Sequence, residues 1–240
     1  VAPFCRKFPH PGVQALTRQG RLPADDPALP RLHLCFIAPT MAFPALGFVG
    51  RSSPWPMGIP RLKQHPQAPS RSALKLEEAL LTFLTFDERR RRLLPGQRAV
   101  DLGAAPGGWT WQLVRRHLFV TAVDNGALDP RLMDSGLVEH LRCDGFRYRP
   151  PRPVDWMVCD MVEKPLQVAT LAAHWLAKGD CRETIFNLKL PMKRRYATLV
   201  ACRAKIPQVL GHTPHTLRIK QLYHDREEVT AHLANPSAIA

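Results

Sequence analysis

The stretch Arg98-Ala99-Val100-Asp101-Leu102-Gly103-Ala104-Ala105-Pro106-Gly107-Gly108-Trp109 constrains the fold of this chain more than any other. Ala99, Val100 and Leu102 form a short apolar run suited to a buried parallel strand. Gly103, Gly107 and Gly108 give the backbone freedom that a tight turn needs. Residues 109–116 then read as a helix. A glycine turn that leaves the carboxyl end of a strand and opens onto a helix N-terminus is where open α/β sheets hold nucleotide-like cofactors.

The spacing inside the turn narrows the choice. Dinucleotide enzymes use G-x-G-x-x-G, which is absent here; the chain has D-x-G-x-x-P-G-G. With an acid at the strand end and Pro106 stiffening the loop, the pattern resembles the first motif of class I methyltransferases, which bind S-adenosylmethionine. Its A-P-G-G-W form is similar to the FtsJ-like RNA ribose methyltransferases.

Downstream of the turn, strand and helix patterns alternate. Residues 118–123 read as a second strand ending at Asp124, Leu141 lies in a short third ending near Asp144, and residues 154–159 form a fourth ending at Asp160. Helical patterns over 165–177 and 192–210 flank a fifth strand at 184–188, and 217–223 with 229–233 can close the sheet as a hairpin. This order predicts a Rossmann-like α/β fold, a mostly parallel sheet with helices on both faces. Ahead of the turn, residues 69–79 start a helix that Ser70 or Ser72 can cap, with Leu74, Leu81 and Leu84 as its apolar face. The run Arg89-Arg90-Arg91-Arg92 is either a solvated charged face or a phosphate contact.

Residues 1–60 are proline-rich and hold one good strand, Leu32-His33-Leu34-Cys35-Phe36-Ile37, and a short helix around 13–19. That is too little for a core of its own. Pro54-Trp55-Pro56-Met57-Gly58-Ile59-Pro60 reads as an extended linker. The expected organisation is a small accessory remnant over 1–60 joined to a catalytic-type domain over 61–240. The chain opens at Val1 rather than Met, which points to a fragment or processed form.

A length of 240 residues with 45% hydrophobic content suffices for one full α/β core. The formal net charge of +14 is far from ordinary and points to a polyanion partner, nucleic acid first. Six cysteines without a C-x-x-C pair argue against zinc, and reduced, buried thiols in a cytoplasmic protein account for them. His212, His215, His224 and His232 are explained by a loop and a strand without a metal. No stretch is apolar enough to span a bilayer and no secretory signal opens the chain.

Acids at strand ends carry the binding chemistry. Asp124 is placed to accept hydrogen bonds from the ribose hydroxyls of an adenosine, and Asp144 to reach the adenine amino group. Asp124-Asn125-Gly126 and Asp144-Gly145 are also turn signals. Lys75, Asp160, Lys189 and Glu228 read singly as solvated charges. On the sheet, however, Asp160 and Lys189 leave neighbouring carboxyl ends, where Lys75 and Glu228 can complete a Lys-Asp-Lys-Glu cluster. Methylating a ribose 2′-hydroxyl needs a base, and free lysine, with a pKa of about 10.4, is protonated near neutrality. Lys75 and partial burial would lower the pKa of Lys189, while Asp160 and Glu228 would oppose that shift.

Taken together, Ser70-Arg71-Ser72-Ala73-Leu74-Lys75-Leu76-Glu77-Glu78, the A-P-G-G-W loop, Val158-Cys159-Asp160-Met161, Phe186-Asn187-Leu188-Lys189-Leu190-Pro191-Met192-Lys193 and Leu222-Tyr223-His224-Asp225-Arg226-Glu227-Glu228-Val229 resemble the bacterial 23S ribosomal RNA cytidine 2′-O-ribose methyltransferase M family. The resemblance extends to Met57-Gly58-Ile59-Pro60-Arg61-Leu62-Lys63. It implies S-adenosylmethionine contacts at Ser72, Gly103, Ala105, Pro106, Gly107, Gly108, Trp109, Asp124, Asp144 and Asp160, with Lys189 as proton acceptor and no metal. It also implies a cytoplasmic monomer acting on a cytidine of 23S ribosomal RNA or on a large-subunit assembly intermediate. Three departures stand out: Ala105 replaces a cysteine found in many members, only the tail of the family's THUMP-type RNA-binding region is expected within residues 1–60, and the family's basic C-terminal extension is expected to be short or missing.

Three rivals remain. A nucleotide-dependent oxidoreductase lacks its glycine motif here, and a base methyltransferase lacks a cysteine nucleophile or N-P-P-Y-type loop. The third is a non-catalytic or fragmentary module that binds RNA and S-adenosylmethionine, against which the intact tetrad argues.

Overall fold

The computed structural model describes residues 18–19, 30–38, 40–48, 53, 55, 58–225 and 227–239. The chain divides into two compact units, Val1–Pro60 and Arg61–Ala240. Most of the helix expected around 13–19 lies outside the described residues.

In the first unit, β1 (Arg31–Ala38) pairs antiparallel with β2 (Met41–Gly47). The second strand, with Pro44 inside it, was not expected. Leu32, Leu34, Phe43 and Leu46 are all exposed on this two-stranded ribbon, which is too small to bury them. Cys35 is exposed as well, contrary to the expectation of a buried thiol, whereas Cys159, Cys181 and Cys202 are buried. Near the expected extended linker, Gly58 N donates to Trp55 O at 2.9 Å with φ +72°, so the backbone turns there.

The second unit runs α1 (Ala73–Phe83), α2 (Phe86–Arg92), β3 (Arg98–Leu102), α3 (Gly108–Val114), β4 (Phe119–Val123), α4 (Pro130–Met133), β5 (Val138–Leu141), β6 (Val154–Cys159), α5 (Pro165–Ala177), β7 (Cys181–Lys189), α6 (Arg195–Leu210), β8 (Thr216–Lys220), β9 (Glu228–Ala234) and α7 (Pro236–Ile239). Its seven strands lie in the order β5-β4-β3-β6-β7-β9-β8. β5 to β7 are mutually parallel, and β9 runs antiparallel to both β7 and β8. The chain winds outward from β3 to β5 and then returns to β6 beside β3, so the carboxyl ends of β3 and β6 flank the switch point where open sheets bind ligands.

Side-chain parity sorts the two faces. On β6, Met157 and Cys159 join Phe186, Leu188, Val229 and Leu233 under α5 and α6. Trp156 and Val158 point the other way, with Ile185, under α1 and α3. Buried on both sides, these strands read as near-continuous apolar runs, as parallel sheets require. The same parity places Asn187 and Lys189 of β7, and Glu228, Thr230 and His232 of β9, on the α1 face.

The arginine run forms most of α2, which begins in a capping box: Thr85 Oγ1 accepts from Glu88 N at 3.2 Å, and Thr85 N donates to Glu88 Oε2 at 2.7 Å. Arg92 is buried, donating from Nε to Glu183 Oε1 at 3.1 Å and from Nη1 to Glu88 Oε1 at 3.0 Å. Arg89 donates to the carbonyl of Leu84 at 2.6 Å. Arg92 is therefore a core ion pair and not a phosphate contact; Arg90 and Arg91 remain exposed. No helix among the described residues is long and apolar enough to cross a membrane.

Candidate active site

Four charged side chains from four elements meet above the carboxyl edge of the sheet. Asp160 follows β6, and its N–H donates to Leu102 O at 3.3 Å, level with the start of the glycine turn. Lys189 ends β7 and Glu228 opens β9, and the antiparallel register sets them directly opposite each other. Lys75 reaches over from α1. Lys189 Nζ donates to Asp160 Oδ1 at 2.7 Å and to Glu228 Oε2 at 2.9 Å. Lys75 Nζ donates to Asp160 Oδ2 at 3.4 Å and pairs closely with Glu228 Oε1. Each carboxylate is thus shared between two ammonium groups.

This arrangement decides the charge of Lys189. Burial works against the ammonium, but Asp160 and Glu228 outweigh it and hold the lysine pKa above its ordinary value. The lowering expected from Lys75 is not the net result, because both carboxylates lie within hydrogen-bond reach of the same nitrogen.

The glycine turn is built as the sequence suggests. Gly103 has φ +78°, and a Cβ there would lie 2.6 Å from Met161 Cγ and 3.1 Å from the Met161 backbone. The turn after β3 therefore passes tightly against the turn after β6. A Cβ on Gly108 would strike the hydroxyl of Ser72 and lie 2.5 Å from that of Ser70. The Ala105–Pro106 peptide is cis. Trp109 is buried in the α1/α3 core and its Nε1 donates to Ser72 O at 3.0 Å, tying the loop to the start of α1. Trp111 is buried too, between His65 and Arg115, so neither indole is an open stacking platform.

Ser72 precedes α1 but its hydroxyl does not cap it; it bonds Ser70 Oγ at 2.6 Å. Asp124 accepts from Ala105 N at 3.0 Å through Oδ2 and from Gly126 N at 2.7 Å through Oδ1, so it clasps the loop and makes the turn at once. Asp144 is exposed and accepts from Phe146 N at 2.9 Å. Both acids follow strands of the parallel sheet, β4 and β5, at its carboxyl edge.

Several residues that sequence reasoning passed over support this site. Glu78, buried on α1, accepts from Tyr223 N and His224 N, each at 2.8 Å, and holds the β8–β9 loop. This is why β8 stops at Lys220 rather than running to 223. Asn187, Thr230 and Asp225 form a buried polar string behind Asp160. A signal existed: Asn187 and Thr230 are polar residues in apolar strands, two positions from Lys189 and Glu228 and so on the same face. Two of the four histidines are held by acids, His224 by Glu78 and His232 by Glu183.

The model of the FtsJ-like methyltransferase family matches residues 68–190, which include Ser72, Lys75, the glycine turn, Asp160 and Lys189. The chain belongs to the FtsJ-like methyltransferase family. Among its relatives, the ribosomal RNA large subunit methyltransferase M of Azoarcus sp. strain BH72 is 57% identical over 231 residues, covering 96% of this chain and 64% of that protein. The protein of the same name from Methylococcus capsulatus strain Bath is 57% identical over 235 residues, covering 97% of this chain and 65% of that one. The chain therefore spans just under two thirds of the length of these relatives. A crystal structure described as a ribosomal RNA methyltransferase of Plasmodium falciparum superposes with a TM-score of 0.50 at 13% identity, over 70% of this chain and 97% of that one, a likeness of fold.

Proposed function

We propose that this chain carries the catalytic domain of an enzyme that transfers a methyl group from S-adenosylmethionine to the 2′-oxygen of a cytidine in 23S ribosomal RNA. The observation that carries the reading is the tetrad: two lysines and two carboxylates, brought from four elements to the switch point, beside a glycine turn of the FtsJ-like family. The cofactor fits the residues present. Gly103 and Gly108 let the turn pack directly against Met161 and the Ser70–Ser72 segment, and Asp124 and Asp144 stand at the ends of β4 and β5, where acids can reach a ribose and an adenine. Ser72, Gly103, Ala105, Pro106, Gly107, Gly108, Trp109, Asp124, Asp144 and Asp160 would line it, and bound there it supplies a methyl group made electrophilic by a sulfonium.

The protein's share of the chemistry is the proton. As the ribose oxygen bonds to carbon, its proton must leave, and Lys189 Nζ is the acceptor. Lys189 can do so only after giving up the proton that Asp160 and Glu228 hold on it, so the rate should rise with pH toward the lysine range. Lys75 aids that release by drawing on Asp160 Oδ2 and Glu228 Oε1, which weakens their hold on Lys189. Exposed Lys193, Arg194 and Tyr196 follow Lys189 within a few residues and offer cations and an aromatic face to an RNA strand. The accompanying reading is a cytoplasmic monomer whose substrate is the ribosomal RNA or an assembly intermediate, with residues 1–60 the tail of a THUMP-type region.

The test is transfer of labelled methyl to unmodified 23S ribosomal RNA. Label should map to a ribose 2′-oxygen, and Lys189→Ala should cut transfer by about a hundredfold or more, the lower range for loss of a general base. Undiminished transfer in Lys189→Ala would sink the mechanism; binding of S-adenosylmethionine without transfer would favour the module reading.

A further inference from the structure

We propose that Asp225, bearing a proton, is a positioning residue: it is the far donor of a hydrogen-bond chain through Thr230 and Asn187 that fixes Asp160 against Lys189. The inference rests on the reading of Lys189 as the base.

The strand register sets Asn187 opposite Thr230 two residues from the Lys189–Glu228 pair, so both pairs share one face. Asn187 and Thr230 are wholly buried and Asp225 nearly so. Counting protons along the string leaves one solution. Asp160 sits between two ammonium groups and only accepts, so the amide nitrogen of Asn187 must be what faces it, at 3.0 Å from Oδ1. That orientation turns Asn187 Oδ1 toward Thr230 Oγ1, 2.7 Å away. An amide oxygen cannot donate, so Thr230 spends its single proton on Asn187. The remaining contact, Thr230 Oγ1 to Asp225 Oδ2 at 2.8 Å, must then be donated by Asp225.

An independent feature agrees. Asp225 Oδ1 is buried and has no hydrogen-bond partner among the described residues. An orphaned oxygen is tolerable in a neutral acid and costly in a carboxylate. Burial also pushes the Asp225 carboxyl well above the usual carboxylate range, with Glu228 of β9 adding to the rise and Leu222 N and Lys75 of α1 opposing it.

Asn187 and Lys189 donate to the same oxygen of Asp160. The amide takes up part of that oxygen's accepting power and so weakens its hold on the lysine proton. It also locks the carboxylate in the rotamer that leaves Oδ2 for Lys75. Loss of the chain gives Lys189 a stronger partner and a less mobile proton.

The experiment compares the full chain with Thr230→Val, Thr230→Ser, Asp225→Asn and Lys189→Ala. Thr230→Val keeps the volume and removes the relay. It should lower kcat by about tenfold with the KM for both substrates unchanged, and move the rising limb of the pH profile to higher pH. Thr230→Ser, and Asp225→Asn through its amide donor, should restore kcat to within about twofold. A profile for Thr230→Val that overlays the parent while Lys189→Ala is inactive would overturn the chain and leave the base assignment standing. Carbon-13 NMR of the Asp225 carboxyl tests the chain without turnover: a carboxyl that still carries its proton at the pH of the transfer assay supports it, and one ionised at that pH overturns it.

Discussion

Asp101 shows how a single buried acid can record the folding of this domain. It is fully buried in the middle of the sheet, where Oδ2 accepts from Thr110 Oγ1 at 2.7 Å and Oδ1 has no partner among the described residues. Burial raises its carboxyl from 3.8 to about 7, with Asp160 and Asp124 adding to the rise and Thr110 opposing it. The native state therefore holds this proton more tightly than the unfolded chain does. The sign follows from linkage: this residue's contribution is most favourable below pH 4, is lost progressively as pH rises to about 7, and is flat above. Asp101→Asn should remove about 2–3 kcal/mol of the stability difference between pH 5 and pH 8, as read from urea unfolding at the two pH values. An unchanged difference would mean that Asp101 is ionised in the fold.

At the scale of elements, the site is a property of two turns pressed together. The turn after β3 and the turn after β6 meet at Gly103 and Met161, and the second carries Asp160. Gly103→Ala would add a Cβ against the Met161 backbone and hold a side chain at positive φ. Such strain costs roughly 1–3 kcal/mol. The expected result is a lower melting temperature together with weakened S-adenosylmethionine binding by calorimetry. A mutant with parental affinity would separate the turn from the cofactor site. Gly136→Ala is the matching control, since Gly136 also has positive φ, +67°, but nothing lies within 4 Å of its Cβ position. It should lose some stability and keep the affinity.

For the whole molecule, the charge of +14 is spread unevenly in use. Arg92, Arg116 and Arg195 are spent on Glu183, Glu77 and Glu227. Lys193 and Arg194, at the exit of β7, are exposed. If they meet phosphates, the double variant Lys193→Ala/Arg194→Ala should weaken RNA binding and reduce the slope of log affinity against log salt by about 1 to 2. Anisotropy titrations over a range of salt concentrations measure this, and an unchanged slope would place the RNA elsewhere.

Local pattern was enough for much of the fold. The strand at 154–159 and the helix at 165–177 stand where the apolar runs and Pro165 put them, because buried parallel strands and helix starts have short-range signatures. Residue types and strand ends also singled out Lys75, Asp160, Lys189 and Glu228, which the fold brings into one cluster, and the glycine turn with Asp124, which bonds Ala105 N. Tertiary structure decided the rest. The register of β7 on β9 sets Lys189 across from Glu228 and Asn187 across from Thr230, and the crossing of α1 over that face adds Lys75 and Glu78. Burial made Arg92 a core ion pair, neither the solvated charge nor the phosphate contact that the arginine run allowed, and the sharing of two carboxylates by two lysines kept the proton on Lys189. Propensity and periodicity act over a few residues, whereas desolvation and charge pairing depend on which distant side chains the fold brings within about 4 Å.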